Sequence, residues 1–343
     1  NHPDLRYEGR IHELLTNHGA KTMEMKVAPD IVILHTGYAQ AVLEEKARRN
    51  LALLLAEQKR RGEKPEDAFY LADCFLSLGE YEKAIQYTRQ VIDSGARFLG
   101  MTNHPYLMLI RLLILSKRPM AEVDEAIAAG REKFPSMPEF VMMEGFAAWE
   151  RQQFFRAEER LRRGLDLYQA WQEAPVQDVY LGDQARNLLP EVYDVLGRIA
   201  AMRGDEGEAG RCFVESLKRQ RRDDRLARLC RILRRLPPEE AILILRSLYP
   251  EEEAAGTLAR KLYGQAMPKV CLYYEKQSGE KVYGDFDRYV FAGQVMAAAA
   301  LAADAAQALT GLGRWILRQS AAGDGLSLLL PAEAEIPKTW TLT

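Results

Sequence analysis

Four of the five histidines stand within the first 35 residues, at His2, His12, His18 and His35. Imidazoles beside carboxylates are the usual material of a metal site, and "HELLTNH" (12–18) holds two of them with a glutamate between. The spacing excludes a zincin, which needs His-Glu-x-x-His so that both rings share one helix face. Residues six apart on a helix point about 120° away from each other. His12 and His18 therefore cannot chelate together on one helix. His18, in "TNHGAK", reads as a turn residue, while His12 and His35 are either packed imidazoles or members of a site completed elsewhere.

The other candidate groups are weaker. One Asp-x-Asp string occurs, "DFD" (285–287), and two aspartates at a helix start serve as N-caps more often than as metal ligands. Cys74, Cys212, Cys230 and Cys271 are scattered with no Cys-x-x-Cys pair, which suits reduced structural thiols and excludes a zinc knuckle. No Ser/His/Asp set or Gly-rich phosphate loop stands out, and "GLGRW" (311–315) follows no strand. "KRQRRDDRLARLCRILRR" (218–235) holds nine basic and two acidic residues. Arg221, Arg225, Arg228 and Arg235 are spaced by four, three and seven, so a continuous helix would align them as a basic stripe. Such a stripe can grip an acidic peptide, a phosphate-bearing ligand or nucleic acid. The favoured alternative is a solvated helix face with acidic neighbours, because no exposed aromatics are interleaved.

Composition bounds the rest. The chain has 343 residues, 48% hydrophobic and 28% charged, which is too apolar for disorder and long enough for several packed units. A net charge of −2 gives no global pull towards nucleic acid or membrane. No run of about 18 apolar residues occurs; the nearest, 290–306, is alanine-rich and holds Gln294 and Asp304. With no signal peptide and dispersed cysteines, a cytoplasmic location is expected. The first residue is Asn1, which points to a cut from a longer protein.

The elements that must position these groups fall into five stretches. In 1–38, "TMEMKVA" (22–28) alternates as a half-buried strand does, and "IVILHTGY" (31–38) is a second strand candidate. This piece of mixed α/β structure is too short to form its own sheet domain. Helical spacing begins at Ala39, and Gly62 and Pro65 end a connecting helix over 39–64. An internal repeat then fills 65–222. "YLADCFLSLGEYEKAIQYTRQVI" (70–92) lies over "YDVLGRIAAMRGDEGEAGRCFVESL" (193–217), pairing Ala72 with Gly197, Gly79 with Gly204 and Ala84 with Ala209. "VMMEGFAAWERQQFFRAEERLRRGL" (141–165) puts Gly145 and Ala157 in the same slots, with Gln152 at the turn, and a degenerate pair fits near 104–134.

The small residues let two antiparallel helices cross closely, so Gly197 and Ala209 are expected to face each other, and the turn glycine closes the first helix. Further helical pairs run over 223–325, and 326–343 reads as an irregular tail.

This pattern resembles the tetratricopeptide repeat, which implies an all-α solenoid of antiparallel helix pairs; the short α/β remnant of 1–38 precedes it. The opening resembles something else. "YEGRIHE" (7–13), "HTGY" (35–38) and "RRNL" (48–51), followed at once by repeats, look like the junction in bacterial family 2 glycosyltransferases that carry tetratricopeptide repeats. There the last strands of a GT-A nucleotide-sugar domain run into a long helix. The resemblance implies that His12 supplies a ligand to a divalent metal (Mn or Mg) that holds the nucleotide-sugar in the full-length parent. By the same resemblance His35 and Tyr38 line that cleft.

The Asp-x-Asp and catalytic base of such a domain are not in this chain, so no cofactor and no catalysis are expected of the chain alone. The expected function is a scaffold whose concave face binds a protein or peptide, presenting an acceptor or mediating self-association. A free-standing adaptor is one alternative, and a nucleic-acid-binding helical repeat is a less favoured one.

Overall fold

The computed structural model describes residues 4–8, 14–19, 40–174, 178–250, 253–263, 265, 267–282, 284, 285 and 288. The chain forms two compact units, 1–192 and 193–343. Among the described residues, strands occur only in one antiparallel hairpin, β1 (Leu5–Glu8) with β2 (Leu14–Asn17), in which Leu5 lies opposite Asn17 and Glu8 opposite Leu14. The strand candidates at 22–28 and 31–38 lie outside the described residues.

The rest of what is described is helices joined by short turns and irregular connections. The first unit holds α1 (Gln40–Arg61), α2 (Pro65–Ser77), α3 (Tyr81–Ser94), α4 (His104–Leu115), α5 (Met120–Lys133), α6 (Pro138–Glu150) and α7 (Phe154–Glu173). It ends within α8 (Ala185–Met202). The second continues with α9 (Glu206–Arg219), α10 (Asp223–Leu233), α11 (Pro238–Leu248), α12 (Glu253–Tyr263) and α13 (Pro268–Ser278). The architecture is all-α and tetratricopeptide-like.

Local chemistry sets the helix boundaries. Proline opens α2, α6, α11 and α13, where its missing N–H has no intrahelical partner to lose. Lys64 N donates to Asp67 Oδ2 (3.0 Å) at the start of α2, and Arg61 Nη2 donates to the other oxygen of that carboxylate (2.6 Å). Asp205 caps α9 by accepting from Glu208 N (2.9 Å).

The turns within pairs share one backbone device. Gly79 and Gly204 have φ of +74° and +81°, and at the equivalent places Lys117 and Gln152 have φ of +53° and +60°. In each turn the next N–H reaches back five residues. Glu80 donates to Phe75 O, Arg118 to Leu113 O, Gln153 to Ala148 O and Asp205 to Ala200 O, at 2.9–3.0 Å. This closure satisfies a helix-end carbonyl with a left-handed residue, which glycine tolerates best. Lys117 marks the degenerate pair, α4 with α5, as a copy of the others.

The helices of a pair cross closely at Gly145 and Gly197. A Cβ on Gly197 would lie 2.7 Å from the Phe213 ring and 3.2 Å from Cys212 Cβ; on Gly145 it would lie 2.6 Å from Leu161. The space beside each glycine is taken by the residue one turn beyond the buried alanine: Phe213, four residues after Ala209, and Leu161, four after Ala157. One helical turn along the partner is the axial offset at which a large side chain can use the space a missing Cβ leaves. Ala84, Ala157 and Ala209 are themselves completely buried.

Each unit has its own core. Leu71, Ile110, Leu113, Val123, Met137 and Phe140 centre the first, and Leu217, Leu229, Leu245, Leu258 and Leu262 the second.

Candidate functional site

Helices α5 and α6 and the first turn of α7 enclose a groove of about 340 Å³. Its floor is Ile127, Ala147 and Ala148, all buried, and its rim carries Asp124, Glu144, Arg151, Gln153 and Arg156. The small side chains of α6 keep the groove open. Arg151 is tied in place: it donates to Asp124 Oδ2 (2.5 Å), Ala147 O (3.3 Å) and Met120 O (3.4 Å). Glu144 accepts from Arg131 (2.5 Å) and lies 3.6 Å from Arg160.

Both rim carboxylates are thus matched by guanidinium groups, while Arg156 has no acidic partner among the described residues. Beside the groove Phe154 packs on Trp149 with ring centroids 5.2 Å apart, and Phe155 stands 86% exposed. A groove of the same kind, about 250 Å³, recurs one pair earlier between α3, α4 and α5, where Arg89 and Glu122 pair at 3.7 Å. Apolar floors under paired charges suit the capture of an extended segment. They supply no poised acid or base.

The one strongly displaced carboxyl among the described residues lies elsewhere in the first unit. Glu139, on the first turn of α6, is fully buried, and burial pushes its pKa up to about 7. Asn103 Nδ2 donates to its Oε1 (2.5 Å) and to Gly182 O (3.0 Å), while Gly182 N donates to Asn103 Oδ1 (3.0 Å). The 178–184 segment is further tied by Gly100 N to Val179 O (2.8 Å) and Thr102 N to Tyr180 O (3.0 Å). Any side chain at Gly182 would collide with the Gly100 carbonyl, 1.9 Å from the Cβ position. Glu139 Oε2 has no partner among the described residues. Such a network, with Asn103 and Glu139 fully buried and Gly182 half-buried, locks a connection rather than forming a reaction centre.

The basic stripe is corrected. α10 covers only 223–233, so Arg221 and Arg235 lie outside it and cannot share its face. Arg225 faces inward with Leu226 and Leu229, is 2% exposed, and donates to Gln220 Oε1 (2.9 Å). Arg228 donates to Asp194 (2.9 Å) and Asp224 (3.1 Å), Arg235 pairs with Glu206, and Arg221 covers the Tyr249 ring (5.0 Å). The acidic first turn of α10, Asp223 and Asp224, starts the helix there and breaks the spacing assumed from sequence.

His12, His35 and Tyr38 lie outside the described residues. His18 is exposed beside the hairpin, and Asp285, the described part of "DFD", is exposed. Among the described residues no group of three or more His, Cys, Asp or Glu could hold a metal ion. All four cysteines are buried; burial pushes the Cys74 thiol up to about 11 and the Cys230 thiol to about 12, the opposite of a nucleophile. No described helix is long and apolar enough to cross a membrane.

The residues that sequence missed are Asn103, Glu139, Gly182, Arg151 and Arg156. Asn103 stands at the N-cap position of α4, with Pro105 in the first turn, but its side chain makes no capping bond and nothing local announces its partner at Gly182.

No family model matches the chain, and no curated protein matches it. Among solved structures it is similar to a chain of the APC/C hetero-tetramer Cut9–Hcn1, at 15% identity over 70% of this chain, with a TM-score of 0.43; the match spans 44% of that chain. A thermophilic TPR protein of Thermus thermophilus matches at 15% identity over 57% of this chain and 99% of its own, with a TM-score of 0.39. The C-terminal part of a TPR repeat-containing protein from Cytophaga hutchinsonii matches at 12% identity over 80% and 98%, with a TM-score of 0.43. The tetratricopeptide-like architecture rests on the turns and crossings described above.

Proposed function

We propose that this chain is a helical-repeat scaffold that binds a protein or peptide, and that it forms the C-terminal part of a glycosyltransferase. The observation that carries the binding role is the groove between α5, α6 and α7, with its buried apolar floor and pre-paired rim. Groups already fixed by Asp124–Arg151 and Glu144–Arg131 contacts lose little freedom when a ligand settles. The transferase role is supported by "YEGRIHE", "HTGY" and "RRNL" standing directly before the repeats. In that parent His12 would be one metal ligand among several upstream, with His35 and Tyr38 near the nucleotide-sugar. The scaffold then presents the acceptor polypeptide or mediates assembly, including self-association, in the cytoplasm.

The full-length protein tests both parts. Ala128 is exposed at the groove, so Ala128→Trp fills it without touching the core. Transfer to acceptor should fall at least tenfold while hydrolysis of the sugar donor is unchanged. His12→Ala should weaken Mn²⁺-dependent donor binding, and His18→Ala should not. A full-length protein that binds no nucleotide-sugar refutes the transferase role. Unchanged acceptor transfer in Ala128→Trp refutes the groove.

A further inference from the structure

The basic segment 218–235 is largely neutralised, and what is left over points to a second site. Lys218 and Arg219 pair with Glu215, Arg222 with Asp224, Arg228 with Asp194 and Asp224, and Arg235 with Glu206. Arg225 is buried on Gln220 and Arg221 lies on the Tyr249 ring. Arg231 and Arg234 have no acidic partner among the described residues.

Arg234 stands on the rim of an apolar slot of about 170 Å³ between the α10–α11 turn and the start of α13. The slot floor is Leu233, Met267 and Val270, all buried, with Leu236 and two prolines as walls. Lys269 forms the opposite rim, is exposed, and also has no acidic partner among the described residues. An apolar cavity of about 150 Å³ holds a benzene-sized group, so the slot has room for one leucine, isoleucine or phenylalanine side chain.

We propose that this slot captures a peptide segment with one apolar anchor residue flanked by acidic side chains. The anchor sits on Leu233, Met267 and Val270, and the flanking carboxylates meet Arg234 on one side and Lys269 on the other. Guanidinium and ammonium groups without an internal acid lose no existing ion pair when such a ligand arrives, which favours carboxylates over neutral amides. The slot belongs to the second unit and does not depend on the groove of the first.

The test uses the whole chain and an array of fluorescein-labelled nine-residue peptides. The central residue runs over Ala, Leu, Ile, Phe and Trp, and the flanks are Glu, Gln or Lys; binding is read by anisotropy. Glu-flanked Leu, Ile or Phe peptides should bind at least tenfold tighter than their Gln counterparts and than the Glu-flanked Ala peptide. The Arg234→Gln/Lys269→Gln protein, checked for an unchanged circular dichroism spectrum, should lose that preference. Arg246→Gln, an exposed cation of α11, should keep it. Equal binding of Glu and Gln peptides, or preference retained in the double variant, overturns the proposal. So does a 20-nucleotide single-stranded DNA that displaces every peptide alike with a steep salt dependence, since the residual cations would then serve a polyanion.

Discussion

Replacing Glu139 by glutamine should make the first unit more stable at pH 8 and leave it nearly unchanged at pH 5. Burial is the main reason the Glu139 carboxyl titrates near 7 rather than at the ordinary 4.5, and the charge of Asp183 adds to it. The hydrogen bond from Asn103 opposes the rise without cancelling it. The neighbouring groups are fixed: Tyr168 OH donates to Asp183 (2.9 Å), and His104 Nδ1 meets Gln184 Oε1 (3.2 Å).

A folded-state pKa above the unfolded value means that the folded protein holds the proton more tightly. The resulting stability is complete below about pH 4.5 and is lost as pH rises through 7. At 1.36 kcal/mol per unit of pKa, the rise from 4.5 to about 7 is worth about 3 kcal/mol, most of which falls between pH 5 and 8. Glutamine imitates the protonated acid: its carbonyl can still accept from Asn103, and it never charges. Urea unfolding of parent and Glu139→Gln at pH 5, 6, 7 and 8 measures the difference. Exchange of the Gly100, Thr102 and Gly182 amides reports the locked segment directly. Parallel pH dependences for the two proteins would refute the argument, because they would show that Glu139 carries its charge in the fold without cost.

The left-handed turns make an independent test. Lys117→Gly and Gln152→Gly should each stabilise the first unit by about 0.5–1 kcal/mol, whereas Gly204→Ala, with nothing within 4 Å of its Cβ position, should cost about 1 kcal/mol through backbone strain alone. Gly197→Leu should cost about 1–3 kcal/mol by forcing the Phe213 ring aside; thermal melts against Arg231→Ala, an exposed change, decide it, and equal melting temperatures would contradict the crossing. A thiol reagent at pH 8 should leave all four cysteines unmodified in the folded chain and modify all of them in urea, since each is buried and burial raises the Cys74 and Cys230 thiols to about 11 and 12.

The amino-acid order determined what depends on short-range periodicity. Ala72, Gly145 and Gly197 recur in register with buried alanines twelve residues on, so helix pairs with close crossings were readable directly, as were the breaks at Gly62, Gly79 and Gly204. Gln152 was placed at the turn only by its register with the other copies, and Lys117 hid it, because lysine and glutamine have no preference for positive φ and adopt it only when the helices on both sides fix the ends. Which large side chain fills the space beside each glycine, Phe213 or Leu161, was not legible, since axial offset between two helices follows from packing and not from spacing within either. Arg225 read as surface because its neighbours in sequence are charged, yet α10 turns it inward beside Leu226 and Leu229.

Glu139 was invisible as a titrating group, for its partner Asn103 is 36 residues away and Gly182 is 79 residues beyond Asn103. The carboxylate–arginine matching of the groove likewise joins α5 to α6 and α6 to α7. A pKa and a groove are properties of what surrounds a residue in space. The chain order supplies the groups, and only their packing removes the water from Glu139 and sets Arg151 against Asp124.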